Sequence, residues 1–292
     1  MRRNVIVVAI SAWLAGCAAI GEPGTYAIGA GDDRPSASTS ASSVGPIAAP
    51  PVEPIDVGGP VAPFSALTTV DQRGPWRHWA IHPTKPPTRY RSIDVGGVRV
   101  IEALADGSIS GLKHVLDLDP AQRPILEWRW RIDAPLQGAD IEDRFADDSP
   151  VRVVLAFDGE HGSLPLKEQM LFERVKLLTG QDLPYATLMY VWCNRRPSET
   201  VTQNAHTSRV RKIVVESGTG GMRSWLSYRR DIVADYERAY GRPPGRLIAI
   251  GVISDSDNTR QVARGWYGDI RLLPRQAGES AASAVPASLT SR

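Results

Sequence analysis

Alternation of period two is the feature that most limits what this chain can become. Leu126, Trp128, Trp130 and Ile132 are separated by Glu127, Arg129 and Arg131. Successive side chains of an extended strand point to opposite faces, so the apolar set lines one face and the charged set the other. Val151, Val153, Leu155 and Phe157 repeat the pattern against Arg152, Val154 and Ala156. Tyr90 to Ile93, Asp94-Val95-Gly96-Gly97 and Val98 to Leu104 read as a hairpin with glycine at its turn. Further strands are predicted over 185–193, 210–216, 247–254 and 266–273. Two helices are predicted. Residues 167–178 carry Met170, Leu171, Val175 and Leu178 at helical spacing. Residues 230–240 carry Ile232, Val233, Tyr236 and Tyr240, and Gly241-Arg242-Pro243-Pro244 is a strong stop. The strands do not alternate with helices, as a parallel α/β sheet requires. The expected fold is therefore mainly β, an antiparallel β-sandwich with one or two short helices.

The regions outside this pattern have a different composition. Arg2 and Arg3 precede an apolar stretch from Val5 to Leu14. It is shorter than the about 20 residues a spanning helix needs and has the length of a signal-peptide core. Leu14-Ala15-Gly16-Cys17 closes it and resembles the lipobox of bacterial lipoproteins. That resemblance implies that 1–17 is a signal segment with a lipobox, cut so that Cys17 is left at the front, acylated with palmitate-type chains and anchored in a lipid bilayer. Ala18 in place of Asp implies the outer membrane, facing the periplasm. An ordinary secretory signal with an incidental cysteine is the alternative. Residues 18–68 are rich in Pro, Ala, Gly and Ser and read as a tether reaching on the order of 40 Å as a loose coil. Residues 275–292 read as a similar tail, which leaves 69–274 as one β-sandwich domain.

Charge excludes one class of partner. The chain has 34 Lys and Arg against 32 Asp and Glu, and loss of Arg2 and Arg3 with the leader leaves 32 of each. No basic block appears, which argues against nucleic acid. Besides Cys17 the only cysteine is Cys193, in the apolar run Tyr190-Val191-Trp192-Cys193, where it reads as a small buried side chain.

Asp255-Ser256-Asp257-Asn258-Thr259 is the most polar short stretch beside an apolar strand. Such residues build turns, hydrogen-bond sugars, or present oxygens to Ca²⁺. The spacing resembles the start of an EF-hand loop, but no Gly or distal Glu follows in register. No cofactor is otherwise expected, and Asp255 and Asp257 are the metal candidates. Asp147-Asp148 precedes a strand; adjacent residues diverge, so pairing with Arg129, Arg131 or Arg152 is favoured over a shared catalytic target. A dyad of Asp148 with Asp255 stays open as an alternative acid/base pair. Trp128 and Trp130 share a face with Leu126 and Ile132 and read as core, whereas Trp266 is expected at the surface. His78, His82, His114, His161 and His206 form no zinc pattern, and neither a nucleophile elbow nor a phosphate loop is present.

Six landmarks, Leu126-Glu127-Trp128-Arg129-Trp130, Asp147 to Val153, Tyr190-Val191-Trp192, Arg229-Arg230-Asp231, Ser254 to Thr259 and Tyr267-Gly268-Asp269-Ile270, resemble those of the domain-of-unknown-function family 3047. These are bacterial secreted or lipid-anchored proteins. Arg260 departs from the small residue that such proteins often carry after the Asp-Asn-Thr run. The resemblance implies a jelly-roll or carbohydrate-binding-module-like sandwich and no known activity. The expected function is non-catalytic binding of a glycan or other envelope ligand through Asp255, Asp257, Asn258, Trp266, Arg129 and Arg131. The alternatives are a periplasmic glycan hydrolase using Asp148 and Asp255, or an envelope scaffold whose partner is a protein. The anchor is directly testable. Wild type is expected to sediment with membranes, and Cys17→Ser to stay in the supernatant; equal sedimentation of the two overturns the lipid-anchor expectation.

Overall fold

A computed structural model describes residues 59–70, 73–180 and 182–276. The expected leader, Cys17, Ala18 and nearly all of the tether and tail lie outside the described residues. In chain order the elements are β1 (Trp76–Trp79), β2 (Arg89–Val95), β3 (Val98–Asp106), β4 (Ile109–Leu118), β5 (Ile125–Ile132), β6 (Ser149–Phe157), α1 (Leu166–Thr179), β7 (Ala186–Cys193), β8 (Val201–Gln203), β9 (Val210–Ser217), β10 (Leu226–Asp231), α2 (Ile232–Tyr240), β11 (Leu247–Asp255) and β12 (Val262–Leu273). They form a seven-stranded sheet, β1-β4-β11-β6-β7-β9-β8, and a five-stranded sheet, β10-β5-β12-β3-β2. The architecture is the expected sandwich.

The alternating sequences explain the layering. Leu126, Trp128, Trp130 and Ile132 from β5 meet Val151, Val153, Leu155 and Phe157 from β6 in one core between the sheets. Trp128 stacks on Tyr190 with ring centroids 4.9 Å apart and on Tyr228 at 5.0 Å. The β2–β3 hairpin turns at Gly96 and Gly97, whose φ values of 63° and 85° suit the tight turn that favours glycine. The odd residues of β6 face the core, so Arg152, Val154 and Ala156 must face away from it. That outer side is also apolar: Val154 and Ala156 join Trp79, Ile81, Ile141, Met189, Val191, Val214 and Ile253 in a second cluster. Around β6 and β7 the outer face of the seven-stranded sheet is thus covered and Arg152 there is buried, whereas Arg77 at the β1 edge stays exposed.

Four strands, β1, β4, β8 and β10, were not legible in advance. In β4, Gly111 interrupts the apolar pattern because a Cβ there would lie 2.6 Å from the Val252 carbonyl and 3.0 Å from the Trp79 ring. The second helix starts later than its apolar spacing suggests. Asp231 caps it, accepting from the Val233 and Ala234 amides at 3.1 Å each, so Arg230 and Asp231 stay in β10. One strand pair departs from the antiparallel expectation. The chain returns through β8, which pairs antiparallel to β9 on its far side, and β9 therefore runs parallel to β7. Upstream of the expected domain start at Thr69, Val61 and Phe64 are buried in the main core, and Phe64 packs on Trp76 at a centroid distance of 4.4 Å. Among the described residues no helix is long and apolar enough to cross a membrane. Phe64→Ala should lower unfolding stability by about 3–5 kcal/mol, the usual cost of emptying a buried aromatic site. Urea denaturation checks this, and a loss under about 1 kcal/mol would show that the segment before Thr69 is dispensable to the core.

Candidate functional site

Arg152 is the starting point, because its place in β6 sends a guanidinium under the loops with 1% of the side chain exposed. A charge so placed demands partners. Its Nη2 donates to the Asp147 carbonyl at 2.9 Å and to Asp147 Oδ1 at 3.2 Å, and lies 2.9 Å from Asp255 Oδ2. Asp255 reaches it because a register shift between Ile253 and Asp255 sets Asp255 opposite Ser149, whose amide donates to Asp255 Oδ1 at 2.8 Å. Lys212 shares its face of β9 with Val210 and Val214; its ammonium donates to the Ile141 carbonyl at 2.6 Å and to Asp147 Oδ2. The expected divergence of Asp147 and Asp148 holds. Asp148 turns to the β11–β12 loop and accepts from Asn258 Nδ2 at 3.1 Å, the Asn258 amide at 3.3 Å and the Thr259 amide at 2.6 Å. Asp257 Oδ2 accepts from Lys85 Nζ at 2.5 Å.

Asp148, Asp255 and Asp257 thereby bring carboxylate oxygens within 4.8 Å of one another, close enough to share a cation. Burial pushes the Asp255 carboxyl well above the usual carboxylate range, although the Arg152 charge draws it down. Burial opposes charge on Arg152, but Asp255, Asp147 and Asp148 around it more than compensate and hold it above its ordinary value. Lys212 goes the other way: burial lowers it despite Asp147. The end of β11 is pinned from the core side as well. Tyr267 donates to the Ile253 carbonyl at 2.7 Å, and Tyr90 accepts from the Ser254 amide at 3.0 Å.

The remaining candidates lie on a different surface. Arg131, Trp266, Glu102 and Arg91 occupy one cross-strand row on the outer face of the five-stranded sheet. The Arg131 guanidinium lies 4.9 Å from the Trp266 ring centroid and donates through Nε to the Arg223 carbonyl at 2.9 Å. Arg129 belongs to the same face by alternation along β5. Trp266 is fully buried, with Val95, Val100, Ile93 and Trp225 about it, which corrects the expectation of a surface role. The expected single site is accordingly divided. Asp255, Asp257 and Asn258 assemble with Asp148, whereas Arg129, Arg131 and Trp266 lie on the other sheet, because each group follows the alternation of its own strand. The foreseen pairing is met by Asp147 with Arg152, not with Arg129 or Arg131, while Asp148 accepts from Asn258 and the Thr259 amide instead. Sequence reasoning overlooked Lys85, Lys212, Glu102, Arg91 and Arg264. Lys212 alone carried a legible signal, a charge interrupting the apolar face of Val210 and Val214.

A hollow beside α1, about 250 Å³ and lined by His161, Leu164, Gln169 and Phe172, shares no residue with either group. The molecule is thus a two-sheet β protein with a buried carboxylate cluster at one sheet end. The chain belongs to the family described as "Protein of unknown function (DUF3047)", whose model matches residues 74–271. No curated protein matches it. Among solved structures it is similar to the glycoside hydrolase domain of Endo-D from Streptococcus pneumoniae R6, at 8% identity and a TM-score of 0.29, over 69% of this chain and 22% of that one. It is also similar to the cellulose-induced protein Cip1, at 10% identity and a TM-score of 0.33, over 72% of this chain and 95% of that one. Superpositions this loose say nothing about a shared site.

Arg152→Ala would leave Asp255 and Asp147 facing each other without their shared cation. It should cost about 3–5 kcal/mol in urea unfolding, the range for breaking a buried ion pair. A loss below about 1 kcal/mol would mean that the cluster is solvated and not the buried network described.

Proposed function

We propose that this chain is a tethered binding module of the bacterial cell envelope whose ligand is an anionic glycan, taken on the outer face of the five-stranded sheet. One carboxylate carries this reading. Glu102 is shared by Arg91, whose Nη2 lies 2.7 Å from Oε2, and by Arg264, whose Nε lies 3.8 Å from Oε1. Arg131 adds a third guanidinium across Trp266. Glu102 and Asp133, which pairs with Arg223 and also acts on Arg131, are outnumbered by Arg91, Arg264, Arg131 and Arg223, and Arg91 keeps 67% of its side chain exposed. Guanidinium groups match carboxylate and phosphate oxygens in paired hydrogen bonds, so an acidic group on a polymer is the partner this row suits. Burial of Trp266 removes the aromatic platform that a neutral sugar would stack on, and charge becomes the basis of recognition. Arg131 acts from beneath, as positive potential.

The lipobox-like Leu14-Ala15-Gly16-Cys17 supports the location: acylated Cys17 holds the chain in a bilayer, on the periplasmic side of the outer membrane, and the stretch between Cys17 and the core-packed Val61 gives the domain reach. A second reading, hydrolysis of the same kind of glycan, is favoured by the convergence of Asp148 and Asp255. Retaining glycosidases hold their two carboxyl groups about 5–5.5 Å apart. Here both acids are buried, at 2% and 0% exposure, so a substrate would first have to displace the loops above them.

Binding of the full chain to alginate, a polyuronate, and to a neutral glucan separates these ideas. Alginate should bind in preference, weaken as salt is raised, and lose roughly tenfold or more of its affinity for Arg91→Glu/Arg264→Glu, since opposed charges near a surface are worth a few kcal/mol before screening. Equal binding of the neutral glucan, or an unaffected double variant, defeats the binding reading. New reducing ends from alginate, released by wild type and absent with Asp148→Asn, would move the assignment to the hydrolase.

A further inference from the structure

We propose that Asp148, Asp255 and Asp257 form a site for a hard divalent cation of the Ca²⁺ type, independent of the glycan face. Their oxygens lie within 4.8 Å of one another, the widest spacing two ligands can have when both sit about 2.4 Å from one ion. Three carboxylates close together do not by themselves make a metal site. The second observation is a set of buried oxygens in the adjoining loop. Asp257 Oδ1, Ser256 Oγ and Thr259 Oγ1 are all buried without a hydrogen-bond partner, as is Asp255 Oδ2 apart from its ion pair with Arg152. The Asp257 side chain is 2% exposed and Ser256 is fully buried. Buried polar atoms in folded proteins are nearly always satisfied, and unsatisfied ones cost free energy. Orphaned oxygens within residues 255–259, beside three converging carboxylates, are what a cation would satisfy.

The donor set selects the ion. It contains oxygen only, with neither His nor Cys, which points away from zinc and towards Ca²⁺ or Mg²⁺. Mg²⁺ gives up its water shell reluctantly and demands a regular octahedron, whereas Ca²⁺ accepts irregular, largely protein-derived shells, and this site is buried. The charge inventory allows it: Asp147, Asp148, Asp255 and Asp257 exceed the cations Arg152, Lys212 and Lys85 by one. Lys85 is the internal competitor. It reaches Asp257 from a position with 28% of its side chain exposed, so it can swing out to solvent as an ion enters. An ion there would tie the ends of the β5–β6 loop, β11 and the β11–β12 loop together.

Thermal melting and calorimetric titration of the full chain, stripped with chelator, test the site with CaCl₂ and MgCl₂ as the probes. At a hundredfold excess over its dissociation constant, CaCl₂ should raise Tm by about 5–10 °C, with MgCl₂ doing less. Asp257→Asn should abolish the shift. Lys85→Met should bind Ca²⁺ roughly tenfold or more tightly, because it removes a like charge a few ångströms away. The Lys85 variant keeps the test sharp if Asp257→Asn fails to fold, since a purely structural salt bridge would lose stability in Lys85→Met and gain no Ca²⁺ affinity. No Ca²⁺-specific shift in wild type together with no gain in Lys85→Met overturns the proposal.

Discussion

Arg152 lies between β7 and β11 under a roof of loops, where an unpaired guanidinium would cost several kcal/mol. Its neighbours follow from that cost. Asp147 must end the β5–β6 loop at the sheet surface, Asp255 must be brought round by a register shift at the end of β11, and Lys212 must reach Asp147 from β9. Replacing such a network with apolar side chains of equal volume is often neutral or stabilising in other proteins. What ion pairs add here is geometric. Asp147 accepts from both Arg152 and Lys212, so the loop from β5 can close in only one position, and Asp148, the next residue, is then aimed at the Asn258 and Thr259 amides. Two loops distant in sequence are thereby held to one sheet end.

The sandwich separates two kinds of chemistry. Around β6 and the end of β11 the outer face of the seven-stranded sheet is covered, and the charges of Arg152, Lys212, Asp147 and Asp255 are paired there. The outer face of the five-stranded sheet carries arginines that remain partly in water, with a buried tryptophan beneath them. A ligand that neutralises Arg91 and Arg264 would bear on β2, β3 and β12, three neighbouring strands of one sheet. The cluster is left to hold the loops in place.

Local pattern carried the architecture. The residues of β5 and β6 named their core faces correctly, because alternation is a property of each strand alone. The hairpin at Gly96-Gly97 and the stop at Gly241 were legible for the same reason, since a left-handed backbone position favours glycine wherever the strand or helix sits. The parallel β7–β9 pair was not legible, because it depends on which side of β9 the short strand β8 adopts. Nor could the sequence show that the outer face of β6 is covered, and this decides whether Arg152 is a solvated surface residue or the centre of a network. Trp266 is the instructive miss. It follows a polar loop and stands beside Tyr267, yet Arg131 and Val100 cover it from the strands on either side, which only the strand order reveals. The convergence of Asp148 with Asp255 is one of several pairings the sequence allows, and the residues between them give no means of choosing it.

Hydrogen–deuterium exchange of the full chain, with and without alginate oligosaccharide, addresses the central claim that ligand recognition belongs to the five-stranded sheet. Slowed exchange over 89–95, 98–106 and 262–268, with residues 147–149 and 255–260 unchanged, is the result this account requires. Protection confined to 147–149 and 255–260 would contradict it and place the ligand at the carboxylate cluster.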